Sequence, residues 1–332
     1  MSKLTVIGGG SWGVALSQLL IDNGHDVIIY DNNEQVVDSI NNEHRALVLD
    51  GVILPSTLKA TLNLGRAVNY GDYIVIAVPT KVIRETLKNI DSHLKTEKIF
   101  INGSKGIEPG TFKRVSQIVK EEISSNLFGG FVAISGPAHA EEVVKRMVTS
   151  VVSASDNAKI CKDVQNIFSN KEYFRVYTSM DIIGVEMGAS LKNIIALASG
   201  ILAGLGYGDN ARSALITRGL VEIVRLSVAV GADERTLLGL AGVGDLIVTC
   251  TSKHSRNFQA GYKIGSGSNL EETLDSMTMV VEGARSCIAA YELAKEFDIE
   301  IPLIESTYKI IYNRQSPIKS IGELMGRDLK AE

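Results

Sequence analysis

Cysteine is scarce in this chain, and charge of one sign is nowhere concentrated. The three cysteines, Cys161, Cys250 and Cys287, are widely separated, odd in number and form no Cys-x-x-Cys or Cys/His ligand pattern. That excludes a disulfide framework and a structural metal, and it points to a reduced compartment. With 34 Lys and Arg against 38 Asp and Glu, the formal net charge is −4, and no block of like charge occurs in the 332 residues. Nucleic-acid binding draws its affinity from a basic face, so that class is excluded and any anion site has to be local. Internal repeats and low-complexity linkers are also missing. The uncharged run from Leu4 to Ile21 raises the question of a signal peptide or membrane span. Its interruption by Gly8 to Gly10 and Gly13, and the thin basic flank at Lys3, argue against both. The expectation is a soluble, cytoplasmic protein with no membrane insertion and, from its length and 45% hydrophobic content, about two domains.

What is present is a change of grammar near residue 180. The segment "KLTVIGGGSWGVALSQLLIDNGHDVIIYD" reads as strand, glycine turn, helix and strand, with Asn23-Gly24 as the helix stop. Short apolar strands follow at Tyr73–Pro79, Lys98–Gly103, Phe131–Pro137 and Thr149–Ser155, mostly separated by helical patterns. Short continuous apolar strands alternating with helices predict a parallel sheet covered on both faces, a doubly wound α/β fold of Rossmann type. Beyond it the runs become long and helical at Asp181–Leu205, Ala211–Val230, Leu270–Met279 and Arg285–Phe297. The expected organisation is a dinucleotide-binding domain over 1–180 and an all-helical substrate domain over 181–332.

Gly8-x-Gly10-x-x-Gly13 follows the first strand and opens the first helix. Glycines there permit a tight turn and let backbone N–H groups approach a pyrophosphate at a helix N-terminus. Asp31 stands 18 residues after Gly13, directly after "VIIY". A carboxylate at that place accepts hydrogen bonds from the adenosine ribose and repels a 2′-phosphate, which favours NAD over NADP; the alternative is a solvated strand-end aspartate. Three loops after strands should meet in the same crevice: Ala77–Lys81, Asn102–Gly110 and Ser135–Glu142. Lys105, between Gly103 and Gly106, is the charged residue of interest among them, although a lone lysine on a glycine loop is commonly just solvated.

In the helical half, Ser255-Arg256-Asn257 precedes a helical segment. Ser255 as N-cap, the N–H groups of the helix start and the arginine fork would make a phosphate cradle; a capped surface helix is the equal alternative. Lys192 lies in "MGASLKNIIALASGILAGLG" (187–206) as the only charge, and its helical neighbours Gly188, Ala189, Ile195 and Ala196 offer no counter-charge. Burying an unpaired ammonium is costly. Either the side chain reaches solvent from a helix end, or a partner such as Asp245 comes from another segment and the lysine, with its proton affinity lowered toward neutrality, serves as a proton donor to a developing alkoxide.

Taken in order, "GGGSWG", "AVPT", "SKGIE", "SGPAHAEEV", "GVEMGASLKNIIALASG", "TRGLVEI", "GVGDLIVTC", "SRNFQAG" and "VVEGARS" resemble bacterial NAD(P)-dependent glycerol-3-phosphate dehydrogenase, from about residue 4 to the closing "LMGRDLKAE". The resemblance implies reversible reduction of dihydroxyacetone phosphate to sn-glycerol 3-phosphate, the backbone of phospholipids, with NAD or NADP as cofactor. It implies Lys192 as the catalytic acid/base. Lys105, Gly136, Ala138, Lys192, Asp245, Ser255, Arg256 and Asn257 resemble the substrate-binding set. The cofactor set comprises Gly8, Gly10, Ser11, Trp12, Gly13, Asp31, Lys105, Ala140, Arg256, Val280 and Glu282, with the glycines and Asp31 taken from the motif reading above. Three departures stand out. Ala138 replaces a hydroxyl or amide side chain, Ala189-Ser190 replaces the usual glycine-alanine pair, and "YDNN" stands where bacterial members commonly carry an arginine suited to NADPH.

Two alternatives share the layout. A β-hydroxyacid dehydrogenase would have less use for Ser255-Arg256-Asn257, and a UDP-sugar dehydrogenase wants a cysteine on a glycine-rich loop, which no cysteine here provides. A non-catalytic dinucleotide sensor would not need Lys192 in an apolar helix. The apolar helical half makes a homodimer the expected assembly.

Overall fold

A computed structural model describes residues 1–277 and 280–329. The first strand, β1 (Lys3–Ile7), is buried from Leu4 to Ile7 and leads through the glycine turn into α1 (Ser11–Asp22). Then follow β2 (Asp26–Tyr30), α2 (Glu34–Asp38), β3 (Lys59–Thr61), α3 (Leu64–Val68), β4 (Tyr73–Ile76), α4 (Ile83–Asp91) and β5 (Lys98–Asn102). The remainder of this half comprises α5 (Val115–Glu122), β6 (Phe128–Ser135), α6 (Ala140–Val143), β7 (Thr149–Ala154), α7 (Ala158–Phe168) and β8 (Phe174–Ser179). Asparagine starts three of these helices: Asn33, Asn63 and Asn157 each accept a first-turn N–H of the helix that follows.

Among the described residues the strands form one eight-stranded sheet in the order β3-β2-β1-β4-β5-β6-β7-β8. From β3 to β6 all pairs are parallel, and the strand order reverses at β1/β4. Ligands of doubly wound sheets bind outside the carboxyl ends of strands at such a switch point. The expected parallel sheet carries one antiparallel pair: β7 runs antiparallel to β6 and parallel to β8. Strands β3 and β8 also escape the periodicity. The first is only three residues long, and the second alternates buried Phe174 and Val176 with exposed Arg175 and Tyr177, as an edge strand does.

Both sheet faces are covered. Leu4, Val6, Val75, Ile101 and Val132 join Leu16, Leu19, Val164 and Phe168 of α1 and α7 in one core. Their strand neighbours Thr5, Ile74, Phe100 and Phe131 are buried on the opposite face, where the Thr5 hydroxyl donates to the Ala67 carbonyl of α3 at 2.6 Å.

The helical part contains α8 (Ile182–Gly204), α9 (Asp209–Ala229), α10 (Glu234–Leu237), α11 (Asp245–Thr251), α12 (Arg256–Gly265), α13 (Leu270–Asp275), α14 (Glu282–Glu296), α15 (Pro302–Tyr312) and α16 (Pro317–Met325). The helical run expected over Leu270–Met279 ends at Asp275, and Thr278 and Met279 lie outside the described residues. The chain divides into two compact units: Met1–Lys105 with Lys113–Glu186, and Gly106–Phe112 with the chain from Met187 onward.

Helix α8 carries two charges, Glu186 and Lys192, but no one-sided apolar stripe, as befits a core helix rather than an amphipathic surface helix. By length and composition it could cross a membrane, yet it is almost wholly buried within the protein. Neighbouring helices reach its backbone. A Cβ at Gly261 of α12 would lie 1.9 Å from the Leu197 carbonyl oxygen, and one at Gly265 would lie 2.2 Å from that of Ile201, so only hydrogen fits at this crossing.

Elsewhere in this unit Glu222 of α9 accepts the Leu303 and Ile304 backbone N–H groups at 2.7 and 3.0 Å, capping α15 from outside. Burial pushes its carboxyl up from 4.5 to about 7, against the pull of those two N–H groups and of Arg225 and Arg218.

Two outcomes follow. Helix propensity alone favours Ala over Gly by about 1 kcal/mol, but overpacking against backbone costs about 1–3 kcal/mol or more. Gly261→Ala therefore lowers stability in denaturant titrations, while Gly322→Ala, where a Cβ meets nothing within 4 Å, raises it. For Glu222 the folded-state pKa lies above the unfolded value, so its contribution is fully present below about 4.5 and is lost as pH rises through about 7. The parent protein should lose stability relative to Glu222→Gln across that window, as read by denaturation at a series of pH values.

Candidate active site

At the switch point the glycine turn is a matter of space. Gly8 has φ +107°, and a Cβ on Gly13 would stand 1.9 Å from the Gly8 carbonyl oxygen. The turn is held by Gly8 N–H donating to the Tyr30 carbonyl at 2.8 Å and by Gly9 N–H donating to Asp31 Oδ2 at 2.7 Å. The other carboxylate oxygen of Asp31 accepts the Asn33 N–H at 2.9 Å. Asp31 is thus fixed in place by two backbone donors rather than left as a loose strand-end charge. Helix α1 begins at Ser11 behind Gly10, with no side chain capping its first turn. The indole Nε1 of Trp12, the only tryptophan, is buried without a hydrogen-bond partner. A glycine cradle, an uncapped helix N-terminus and an orphaned indole N–H fit the pyrophosphate and adjoining groups of a dinucleotide.

The loops after β4 and β5 close on this turn. Gly103 N–H donates to the Ile76 carbonyl, and a Cβ at Gly103 would sit 2.6 Å from Trp12 Nε1. The Ser104 hydroxyl donates to the Val78 carbonyl at 2.6 Å, and the Asn102 side chain bridges the Ser104 backbone N–H and carbonyl. Lys105 follows, half-buried, its carbonyl 3.4 Å from the Thr80 hydroxyl. After β6, buried Gly136 runs against β7, where a Cβ would meet Val151 Cα at 2.8 Å. Ala138 packs partly on the main core, and Ala140 opens the short α6.

In the second unit Lys192 does not reach solvent. Its side chain is 5% exposed, its ammonium pairs with Asp245 Oδ1, and it donates to the Thr249 hydroxyl at 2.7 Å. Asp245 begins α11, and Thr249 lies one turn later on the same face, its hydroxyl donating back to the Asp245 carbonyl at 2.5 Å. The pair and the hydroxyl offset the desolvation that burial imposes on two charges. Cys250, next in α11, has its thiol pushed up to about 12 by burial and stays protonated at neutral pH, so it supplies no nucleophile.

Asn257 is buried and structurally employed: its Nδ2 donates to Asn193 Oδ1 at 3.0 Å and its Oδ1 accepts Gly283 N–H at 2.8 Å, joining α8, α12 and α14. Ser255 caps α12, accepting Phe258 N–H at 3.2 Å, and Arg256 at the first position of that helix is exposed. Val280 is exposed, and Glu282 opens α14. Sequence reasoning missed Thr249 and Asn193. Thr249 was open to inference as the i+4 neighbour of Asp245, whereas Asn193 is visible only through its tertiary partner.

Such a glycine-turn α/β unit, joined to a helical unit that buries an ion-paired lysine, defines a nicotinamide-dependent dehydrogenase. The family profile described as NAD-dependent glycerol-3-phosphate dehydrogenase N-terminus matches residues 3–161, and its C-terminus counterpart matches 181–322. The chain belongs to this family. Proteins named glycerol-3-phosphate dehydrogenase (NAD(P)+) from Staphylococcus carnosus and Bacillus cytotoxicus are 49% and 50% identical, each alignment spanning all of this chain and 100% and 97% of theirs. The crystal structure of glycerol-3-phosphate dehydrogenase from Coxiella burnetii superposes with a TM-score of 0.92 at 34% identity, covering 98% of this chain and 99% of that one. Membership over both parts of the chain displaces the hydroxyacid-dehydrogenase and sensor alternatives.

Because Asp31 holds the glycine turn as well as presenting charge, two substitutions separate its roles. Asp31→Asn keeps an oxygen for Gly9 N–H and removes the charge, so NADPH affinity should rise relative to NADH by about tenfold, ~1.4 kcal/mol. Asp31→Ala leaves the turn untethered and should weaken both cofactors. Quenching of Trp12 fluorescence on titration reads each result.

Proposed function

We infer that this chain reduces dihydroxyacetone phosphate reversibly to sn-glycerol 3-phosphate, with residues 1–180 binding the dinucleotide and 181–332 handling the substrate. The observation that carries the reading is the ammonium of Lys192, buried in an apolar helix and held by Asp245 and Thr249, in a chain of this family. Gly8, Gly10, Ser11, Trp12 and Gly13 would hold the pyrophosphate side of the cofactor and Asp31 the adenosine ribose. Lys105, Ala140, Arg256, Val280 and Glu282 complete that set. When bound, the reduced nicotinamide supplies the hydride that adds to C2 of the ketone.

The protein's own part is proton transfer and placement. Lys192 donates a hydrogen bond to the C2 carbonyl oxygen and gives up a proton as negative charge develops there. Its side chain is left as the neutral amine and takes up a proton from solvent before the next turnover. Asp245 and Thr249 fix the direction of that N–H, which keeps the donor aimed without reorganisation in the transition state. Arg256 and the first turn of α12, capped by Ser255, receive the phosphate, a remote handle that orients the carbonyl. The family resemblance assigns further substrate contacts to Lys105, Gly136, Ala138 and Asn257. NADH is the preferred reductant, since Asp31 repels a 2′-phosphate and the segment from Asp31 to Glu43 contains no Lys or Arg. We place the protein in the cytoplasm as a homodimer that feeds phospholipid synthesis.

Following NADH and NADPH absorbance in parallel with dihydroxyacetone phosphate tests the reading: turnover with NADH should exceed that with NADPH, and absence of turnover with both would refute it. Lys192→Ala should lower kcat by about a hundredfold to ten-thousandfold with little change in NADH binding. Leaving Asp245 buried without its partner should also cost about 3–5 kcal/mol of stability, so kinetics are taken at a temperature where circular dichroism shows the variant folded. Near-normal turnover would remove Lys192 from the mechanism.

A further inference from the structure

A second buried charge cluster lies outside the machinery described above. Glu186 of α8 is 5% exposed and belongs to the last turn before the chain passes into the second unit. Its Oε1 accepts Ser116 N–H at 2.8 Å, and its Oε2 accepts the Ser116 hydroxyl at 2.5 Å and Arg114 Nη1 at 2.9 Å. Arg114 Nη1 also reaches Ser116 Oγ at 3.1 Å, closing the ring of contacts. Arg114 is the N-cap of α5 but has no side-chain oxygen, so the helix start is satisfied from elsewhere. Gln117 reaches back to Arg114 N–H at 3.0 Å, and Glu186 supplies the acceptor that a Ser or Asp N-cap would normally provide.

The placement gives this cap a consequence. Arg114 lies two residues after the stretch Gly106–Phe112, which leaves the first unit just beyond Lys105 and returns at Lys113. Glu186 lies six residues before Lys192 on the same helix, about 9 Å along its axis. A purely structural core would be served as well or better by apolar side chains, because buried ion pairs rarely add net stability. What a charged, multiply hydrogen-bonded cluster supplies is a fixed geometry between two particular segments.

We propose that Glu186 is a positioning residue for the reaction: by capping α5 and pairing with Arg114 it fixes the returning end of the Lys105 loop to the first turns of the helix that carries Lys192. The assignment rests on the reduction of dihydroxyacetone phosphate inferred above. Glu186→Gln retains an acceptor for Ser116 N–H at almost the same volume and removes the charge that meets Arg114. Arg114→Gln leaves Glu186 on Ser116 and removes the guanidinium. For each, kcat and KM for dihydroxyacetone phosphate, the NADH dissociation constant from Trp12 quenching, and the thermal midpoint are measured beside the unsubstituted protein.

Misplacement of reacting groups by a fraction of an ångström to 1 Å lowers rates by about ten- to a hundredfold. Both variants should therefore lose kcat by about tenfold or more and show a raised KM for the ketone, while NADH binding stays as in the parent. Unchanged kcat and KM overturn the proposal, as do losses that merely follow the folded fraction. Failure of both variants to fold also overturns it, since the cluster would then be structural alone. An active parent with unaffected variants defeats this assignment only, whereas a parent inactive on dihydroxyacetone phosphate defeats the reaction and the assignment together.

Discussion

Backbone contact around α8 is the constraint on which the helical unit depends. A helix approached at ordinary side-chain distance lies 8–10 Å from its neighbours, but Gly261 and Gly265 of α12, and Gly200 and Gly204 of α8 itself, bring main chain against main chain. Gly283 of α14 does the same at the Asn193 carbonyl, where a Cβ would stand 2.4 Å away. With the surrounding helices this close, the short side chains of Asn193 and Asn257 span between elements, and Asp245 at the start of α11 reaches Lys192. Larger residues at the crossings would move the partners of the ammonium by the width of a methyl group, more than a charge-assisted hydrogen bond tolerates.

The same unit shows why an apolar helix can carry a lysine. Removing one ammonium and one carboxylate from water costs several kcal/mol per ion, and their mutual attraction repays this only when the geometry is good and the remaining donors are used. Thr249 supplies that extra acceptor. Glu186 is treated in the same way, by a guanidinium, a hydroxyl and a backbone N–H, and even so burial holds its carboxyl above the ordinary range. Glu222 has only two backbone donors and two arginines at longer range, and its carboxyl also lies above the ordinary range. Each acid is matched by neighbours from a different element, so each doubles as a fastening between elements.

Much of this was legible in the sequence because it follows local rules. The glycine turn and its strand and helix are set by spacing and by steric needs that only glycine meets. Ser255 announces its helix by its place before "RNFQAG". Lys192 stood out because a charge among Ala, Ile, Leu and Gly has no local partner, so its partner had to come from another segment, with Asp245 a candidate. What stayed hidden depends on contacts distant in sequence. The antiparallel turn of β7 against β6 is not encoded in the periodicity of either strand, since buried strands read alike in both directions. Glu186 and Arg114 lie 72 residues apart and look like ordinary charges until α5 is seen to start without a cap of its own.

Asp31 shows how a motif residue can hold more than the motif assigns to it. In the sequence it is a carboxylate at the end of β2 whose charge bears on the ribose. In the folded chain both of its oxygens already accept backbone N–H groups, one from the glycine turn and one from the turn into α2. Each carboxylate oxygen has a second lone pair, so a ribose hydroxyl can still be accepted. An arginine at this position would forfeit the bond to Gly9 as well as reverse the charge. The shape of the glycine turn is therefore bound to this side chain, and any substitution there requires a new acceptor for the Gly9 N–H.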